Sequence, residues 1–139
     1  MPADTRPLMD QRPELRAAVE AAQARKAAGI TLLDLSGLGA FTGAFLICTG
    51  FSARQVQAIS DGIEEALHRA GFRPLHREGY DSAEWVLLDY GSFVIHVFAE
   101  RARLFYDIER LWRRAPRLDL PDVPGWRDDP AARDGAASA

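Results

Sequence analysis

The stretch Glu84-Trp85-Val86-Leu87-Leu88-Asp89-Tyr90-Gly91-Ser92-Phe93-Val94-Ile95-His96-Val97-Phe98 constrains the fold more than any other part of the chain. Two strand-like apolar runs flank Gly91-Ser92. A Gly-X pair in that position signals a tight hairpin, because Gly takes the positive φ such turns require. A two-residue loop pairs Tyr90 with Phe93, Asp89 with Val94, Leu88 with Ile95 and Leu87 with His96. Alternation then sorts the side chains. One face carries Val86, Leu88, Tyr90, Phe93, Ile95 and Val97 and is expected in the core. The other carries Trp85, Leu87, Asp89, Val94, His96 and Phe98. Large apolar groups mixed with an acid and an imidazole suit a second packed layer or a binding surface.

Bulk properties limit the alternatives. The 139 residues fit one domain, and 47% hydrophobic content supplies a core. The net charge of −3 gives no global basic field to recruit nucleic acid. Nearly every basic residue is Arg, Lys26 being the one lysine; with so much Ala, this reads as compositional bias rather than a phosphate-binding signal. The single Cys48 excludes an internal disulfide and a multi-cysteine metal site. In the run Phe45-Leu46-Ile47-Cys48 it reads as a small buried hydrophobe. No run approaches the ~20 apolar residues of a membrane span, and the N-terminus lacks a signal-peptide pattern. A cytoplasmic protein without cofactor or metal is expected.

Along the chain, residues 1–12 read as a flexible N-terminus, 13–120 as one domain and 121–139 as a disordered tail. Pro13 opens a first helix, with Leu15, Ala18, Val19, Ala22 and Ala27 as its apolar stripe and Gly29 as its end. Strands follow over Ile30–Leu35 and Gly43–Thr49. Ser52 and Gln55 form a capping box for a helix bearing Val56, Ile59, Ile63, Ala66, Leu67 and Ala70, stopped by Gly71. Arg73–Glu78 reads as a short strand before the hairpin. Glu100–Arg114 reads as one last helix, with Leu104, Phe105, Ile108, Leu111 and Trp112 as its stripe. The order predicts an α/β (α+β) fold, a mixed β-sheet with packed helices.

Gly50-Phe51-Ser52 before a helix is similar to the Gly-Ser turn of nucleotidyltransferases, where a helix N-terminus holds phosphate. That chemistry needs two or three carboxylates converging on divalent metal. The hairpin strand offers Asp89 alone, and Asp34 is single too, so capping suffices to explain Ser52. Asp89 and His96 share a face and can pair, either for acid–base chemistry or as a structural hydrogen bond. Trp85 lies on the same face, and Tyr106 lies off the stripe of the last helix. Each is a core aromatic or an interface anchor. Trp85 and Tyr106 should be neighbours, because the last helix leaves directly from the strand paired with Trp85.

Together, Phe45-Leu46-Ile47-Cys48-Thr49-Gly50-Phe51-Ser52-Ala53-Arg54-Gln55-Val56, Glu78-Gly79, Trp85-Val86-Leu87-Leu88-Asp89-Tyr90-Gly91, His96-Val97-Phe98 and Phe105-Tyr106-Asp107-Ile108-Glu109-Arg110-Leu111-Trp112 resemble the Iojap family, the ribosomal silencing factors (RsfS). The resemblance runs from about Leu15 to Leu120. Two places depart from it: Gly43-Ala44 stands where the family usually has an acidic-aromatic pair, and Ser92 where it usually has an acid. The resemblance implies a nucleotidyltransferase-like fold without that catalysis. It implies binding to large-subunit ribosomal protein fourteen, blocked joining of the subunits, and repressed translation in starvation or stationary phase. It also implies self-association in some members. Trp85, Leu87, Asp89, His96 and Tyr106 are then the expected partner-binding residues, with no membrane contact and no sequence-specific nucleic-acid binding. Two other readings stay open: a nucleotidyltransferase-type enzyme using Ser52 and Asp89, and a large-subunit assembly factor.

Overall fold

A computed structural model describes residues 11–121. The expected flexible N-terminus (1–12) and disordered tail (121–139) lie outside them except for residues 11, 12 and 121. The elements are α1 (Pro13–Ala24), β1 (Ala28–Asp34), β2 (Ala44–Gly50), α2 (Ala53–Arg69), β3 (His76–Glu78), β4 (Trp85–Asp89), β5 (Val94–Ala99), α3 (Glu100–Tyr106), α4 (Ile108–Leu111) and β6 (Arg117–Asp119). Six strands form one mixed sheet in the order β3-β4-β5-β2-β1-β6. The central pair β2–β5 is parallel and every other pair antiparallel.

The hairpin register is as expected. Trp85 faces Phe98, Leu87 faces His96 and Asp89 faces Val94. Tyr90 N–H donates to the Phe93 carbonyl at 3.0 Å, and Gly91 has φ +85°. The sheet then carries two unequal cores. On one face α1 and α2 cover Ile30, Leu32, Leu46, Cys48, Val86, Leu88, Ile95 and Val97. On the other, Leu33, Leu35, Phe45, Ile47, Val94 and Phe98 make a smaller core, closed partly by Trp85, Leu87, Ile108 and Trp112. The second face of the hairpin is thus a packed layer along much of its length. Cys48 is fully buried, and burial pushes its thiol up to about 12, so it is no nucleophile.

Ser52 caps α2, its Oγ accepting from Gln55 N–H at 3.0 Å. The return bond differs from the expected box. Gln55 Oε1 accepts from Phe51 N–H at 2.7 Å, one residue before the cap. Gly50 leaves no space for a side chain, since a Cβ there would lie 2.9 Å from Val56 Cγ2 and 3.0 Å from Val56 N. That close approach seats α2 on the end of β2.

Several expectations need correction. Gly29 does not end α1. Lys26, at φ 63°, takes the left-handed position, with Lys26 N–H to Gln23 O and Ala27 N–H to Ala22 O, a Schellman motif. Gly29 lies instead in β1, at the irregularity between Ala28 and Thr31. The strand over Arg73–Glu78 shrinks to His76–Glu78. The last helix is two short helices, because Asp107 adopts φ 47°, ψ 49°. β6 pairs Arg117–Asp119 with Leu33–Thr31 and is an element the sequence did not suggest. Arg12, expected in the flexible N-terminus, is held by Glu14 at 3.0 Å and by Ser92 Oγ at 2.9 Å, with its guanidinium 5.6 Å from the Phe93 ring centre.

Candidate partner-binding surface

The break at Asp107 decides what α3 and α4 can do. A left-handed residue ends a helix, so the expected apolar stripe does not lie along one axis. Ile108 and Trp112 pack against the smaller core. Leu104, Phe105 and Leu111 are 76%, 81% and 78% exposed. No residue of α3 or α4 is fully buried. The break is braced from below. Arg103 donates to both carboxylate oxygens of Glu109 at 3.0 Å, to the Gly29 carbonyl at 2.6 Å and to Thr49 Oγ1 at 3.0 Å. Arg117 adds a second ion pair to Glu109 at 3.0 Å. These contacts hold the Glu109 carboxyl below its usual range, the Arg103 hydrogen bonds being the main cause.

Above the brace, aromatic rings climb from the core to solvent. Phe45 meets His96 edge-on, with centroids 4.4 Å apart. Trp85 Nε1 donates to His96 Nδ1 at 3.1 Å, and the indole stacks on Phe98 at 4.9 Å. Tyr106 lies 4.8 Å from Trp85, and Phe105 lies 5.0 Å from Tyr106. To accept from Trp85, the imidazole must be neutral, with its proton on Nε2. Burial reinforces that state, lowering the His96 pKa from 6.5 to about 3.

The sequence-derived residues therefore separate. Trp85 and Tyr106 are neighbours, as expected, with Trp85 half-buried and Tyr106 48% exposed. Leu87 is half-buried against the smaller core. His96 is buried beneath Trp85 and offers no surface; it orients the indole. Asp89 and His96 do not pair, because Asp89 Oδ1 accepts from Gly91 N–H at 2.8 Å within the turn. Asp89 stands at the hairpin end, away from the aromatic ladder. Sequence reasoning missed Phe105 and Leu104 as surface groups. The available signal was three successive residues, Leu104-Phe105-Tyr106, that one helix cannot turn to the same core.

A cleft of about 750 Å³ adjoins the ladder, lined by Phe51, Ser52, Glu84, Arg101, Phe105 and Tyr106 among others. It lies beyond the C-terminal ends of the parallel pair β2–β5, where α/β sheets commonly bind ligands. Ser52 lines it with its hydroxyl engaged in capping. Asp89 does not reach it. Registers place Asp89 level with Val94 and Phe45, whereas Ser52 follows Gly50, level with Ala99. Five residue steps of strand, roughly 16 Å, separate the two levels. The residues required by the enzyme reading are thus at opposite ends of the sheet. Among the described residues no three acids, histidines or cysteines gather to hold a metal ion, and no helix is long and apolar enough to cross a membrane.

Residues 9–139 match the family described as "Ribosomal silencing factor during starvation". Ribosomal silencing factor RsfS of Bacillus subtilis is 40% identical over 112 residues, covering 81% of this chain and 95% of that one. RsfS of Halalkalibacterium halodurans is 38% identical over 109 residues, covering 78% and 93%. A crystal structure of a Chromobacterium violaceum protein superposes with a TM-score of 0.71 at 37% identity, covering 73% of this chain and 85% of that one. Sequence pattern, sheet order and relatives agree: this chain belongs to the ribosomal silencing factor family.

Proposed function

We propose that this protein represses translation by steric exclusion, with no catalytic step. It docks on the large ribosomal subunit through ribosomal protein fourteen, covers the face that receives the small subunit, and so prevents joining. It acts in the cytoplasm, in starvation or stationary phase, without cofactor. The observation that carries the reading is the exposed aromatic surface of Tyr106, Phe105 and Leu104, built on half-buried Trp85 and braced by Arg103. Exposed contiguous apolar surface marks an interaction site, and Trp and Tyr are over-represented among residues that dominate binding energy. The Gly43-Ala44 and Ser92 departures lie around the Arg12 contact at the other end of the hairpin, so this surface does not depend on them.

Sedimentation of purified subunits through a sucrose gradient tests the reading. Added protein should travel with the large subunit and lower the fraction of joined ribosomes. Joined ribosomes at an undiminished level, with the protein left at the top of the gradient, would refute it. The same surface should serve self-association when no ribosome is present. Light scattering across a concentration series then shows a dimer that Tyr106→Ala weakens; a monomer at every concentration argues against self-association alone.

A further inference from the structure

Three arginines within five residues, Arg110, Arg113 and Arg114, close the segment that follows the break at Asp107. They surround exposed Leu111 and line a shallow hollow of about 400 Å³ with it. Arginines that pack against the fold elsewhere are matched by acids, as in Arg12–Glu14, Arg77–Glu64 and Arg103–Glu109. These three are exposed and have no ion pair or side-chain hydrogen bond among the described residues. Like charges at this spacing repel. The segment cannot relax by fraying, because both its ends are tied down. Trp112 packs in the smaller core and Ala115 is buried. Pro116 O accepts from Asp34 N–H at 2.9 Å. The result is a fixed basic patch on a chain of net charge −3, contiguous in sequence with the aromatic surface of α3.

We propose that Arg110, Arg113 and Arg114 contact phosphates of ribosomal RNA while the aromatic surface is docked. The inference rests on the ribosome-binding reading and deepens it. Guanidinium groups pair bidentately with phosphate oxygens, and RNA is the polyanion a protein seated on a ribosomal subunit meets next to its protein contact. The contacts are to backbone, so they add affinity and orientation and no sequence preference. The acidic balance of the rest of the chain keeps the protein off RNA at large.

The test compares wild type with the triple variant Arg110→Gln, Arg113→Gln, Arg114→Gln. Affinity is measured for purified large subunits and for isolated ribosomal protein fourteen, across salt from about 50 to 200 mM. On large subunits the variant should bind roughly tenfold more weakly at mid-range salt, and its log–log salt slope should be shallower by about two to three. On the isolated protein the two should match. Triple substitution by Lys should restore the salt slope but only part of the lost affinity, since an ammonium keeps the charge and loses the bidentate geometry. Equal losses on both targets would show that the patch touches an acidic protein surface, and an unchanged slope on subunits would show that it is idle; either overturns the proposal. Wild type failing to bind subunits at all would instead sink the ribosome-binding reading, and the patch with it.

Discussion

α2 and the α3–α4 pair carry apolar stripes that look alike in sequence and meet opposite fates. Val56, Ile59, Ile63 and Leu67 of α2 are each 0% exposed. Leu104, Phe105 and Leu111 are more than three-quarters exposed. α2 is capped at one end by Ser52 and closed at the other by Gly71, so its 17 residues keep one face on the sheet. α3 and α4 span seven and four residues, and Asp107 turns them apart. A stripe reports burial only when the helix persists long enough to aim it. When the helix breaks, the same residues become surface.

Mutations should reproduce the contrast. Ile63→Ala in α2 removes a fully buried side chain and should lower stability by roughly 2–5 kcal/mol, read as a fall in melting temperature. Binding by the remaining folded fraction should be intact. Phe105→Ala and Tyr106→Ala should leave melting within about 0.5 kcal/mol and weaken binding to the large-subunit protein by about 2 kcal/mol, near thirtyfold. If Phe105→Ala unfolds the chain instead, the distinction between the two stripes is wrong. Trp85 sits between these cases. Its indole stacks on buried Phe98 and bonds His96, so Trp85→Ala should lower melting and binding together.

Acid probes the layer under the ladder. His96 is neutral in the fold, with a pKa of about 3 against 6.5 unperturbed. The unfolded chain therefore binds the extra proton first, and stability must fall as pH drops from 6.5 toward 3. The slope approaches about 1.4 kcal/mol per pH unit well below 6.5. Between pH 6.5 and 5 the carboxylates contribute little, so His96→Gln, which keeps an acceptor for the indole, should flatten melting temperature against pH in that window. An unchanged slope would place the pH dependence elsewhere. Glu109 acts in the same direction over a lower pH range. Its lowered pKa stabilises the fold above about 4.5, and that stabilisation is lost as pH falls further. Glu109→Gln should lower stability by about 1 kcal/mol at neutral pH. It should also loosen the Asp107 break, read as faster amide exchange in α3 with α2 unchanged.

Where the sequence was legible, the signal was local. Gly91 and strict alternation determined the hairpin register, and Ser52, Gln55 and Gly71 bounded α2. Where it was not, the deciding contact was distant. Lys26 ends α1 in the geometry that Gly71 provides for α2, but a lysine carries no such signal. Asp107 breaks the last helix because Arg103 reaches Glu109 and Gly29 beneath it, a contact invisible along the chain. β6 has three residues, too few for a periodic pattern. The Trp85–Tyr106 neighbourhood was legible because the α3 entry follows β5 directly. The Asp89–His96 pair failed because Asp89 found a nearer donor in its own turn.

The two edges of the sheet are protected at different times during synthesis. β3, at one edge, is His76-Arg77-Glu78, all exposed and polar. Such an edge discourages pairing with another chain. At the other edge β6 lies outside β1, whose Thr31, Leu32 and Leu33 have no such defence of their own. Among the described residues Arg117–Asp119 of β6 cover them, helped by Leu120 N–H to Ile30 O at 2.8 Å. Some 80 residues are made after β1 before its cover exists. Over that interval the nascent chain displays an open apolar strand edge, and partly folded chains with such edges are prone to aggregate. Three residues near the C-terminus thus decide when the newly made protein becomes safe from its own copies.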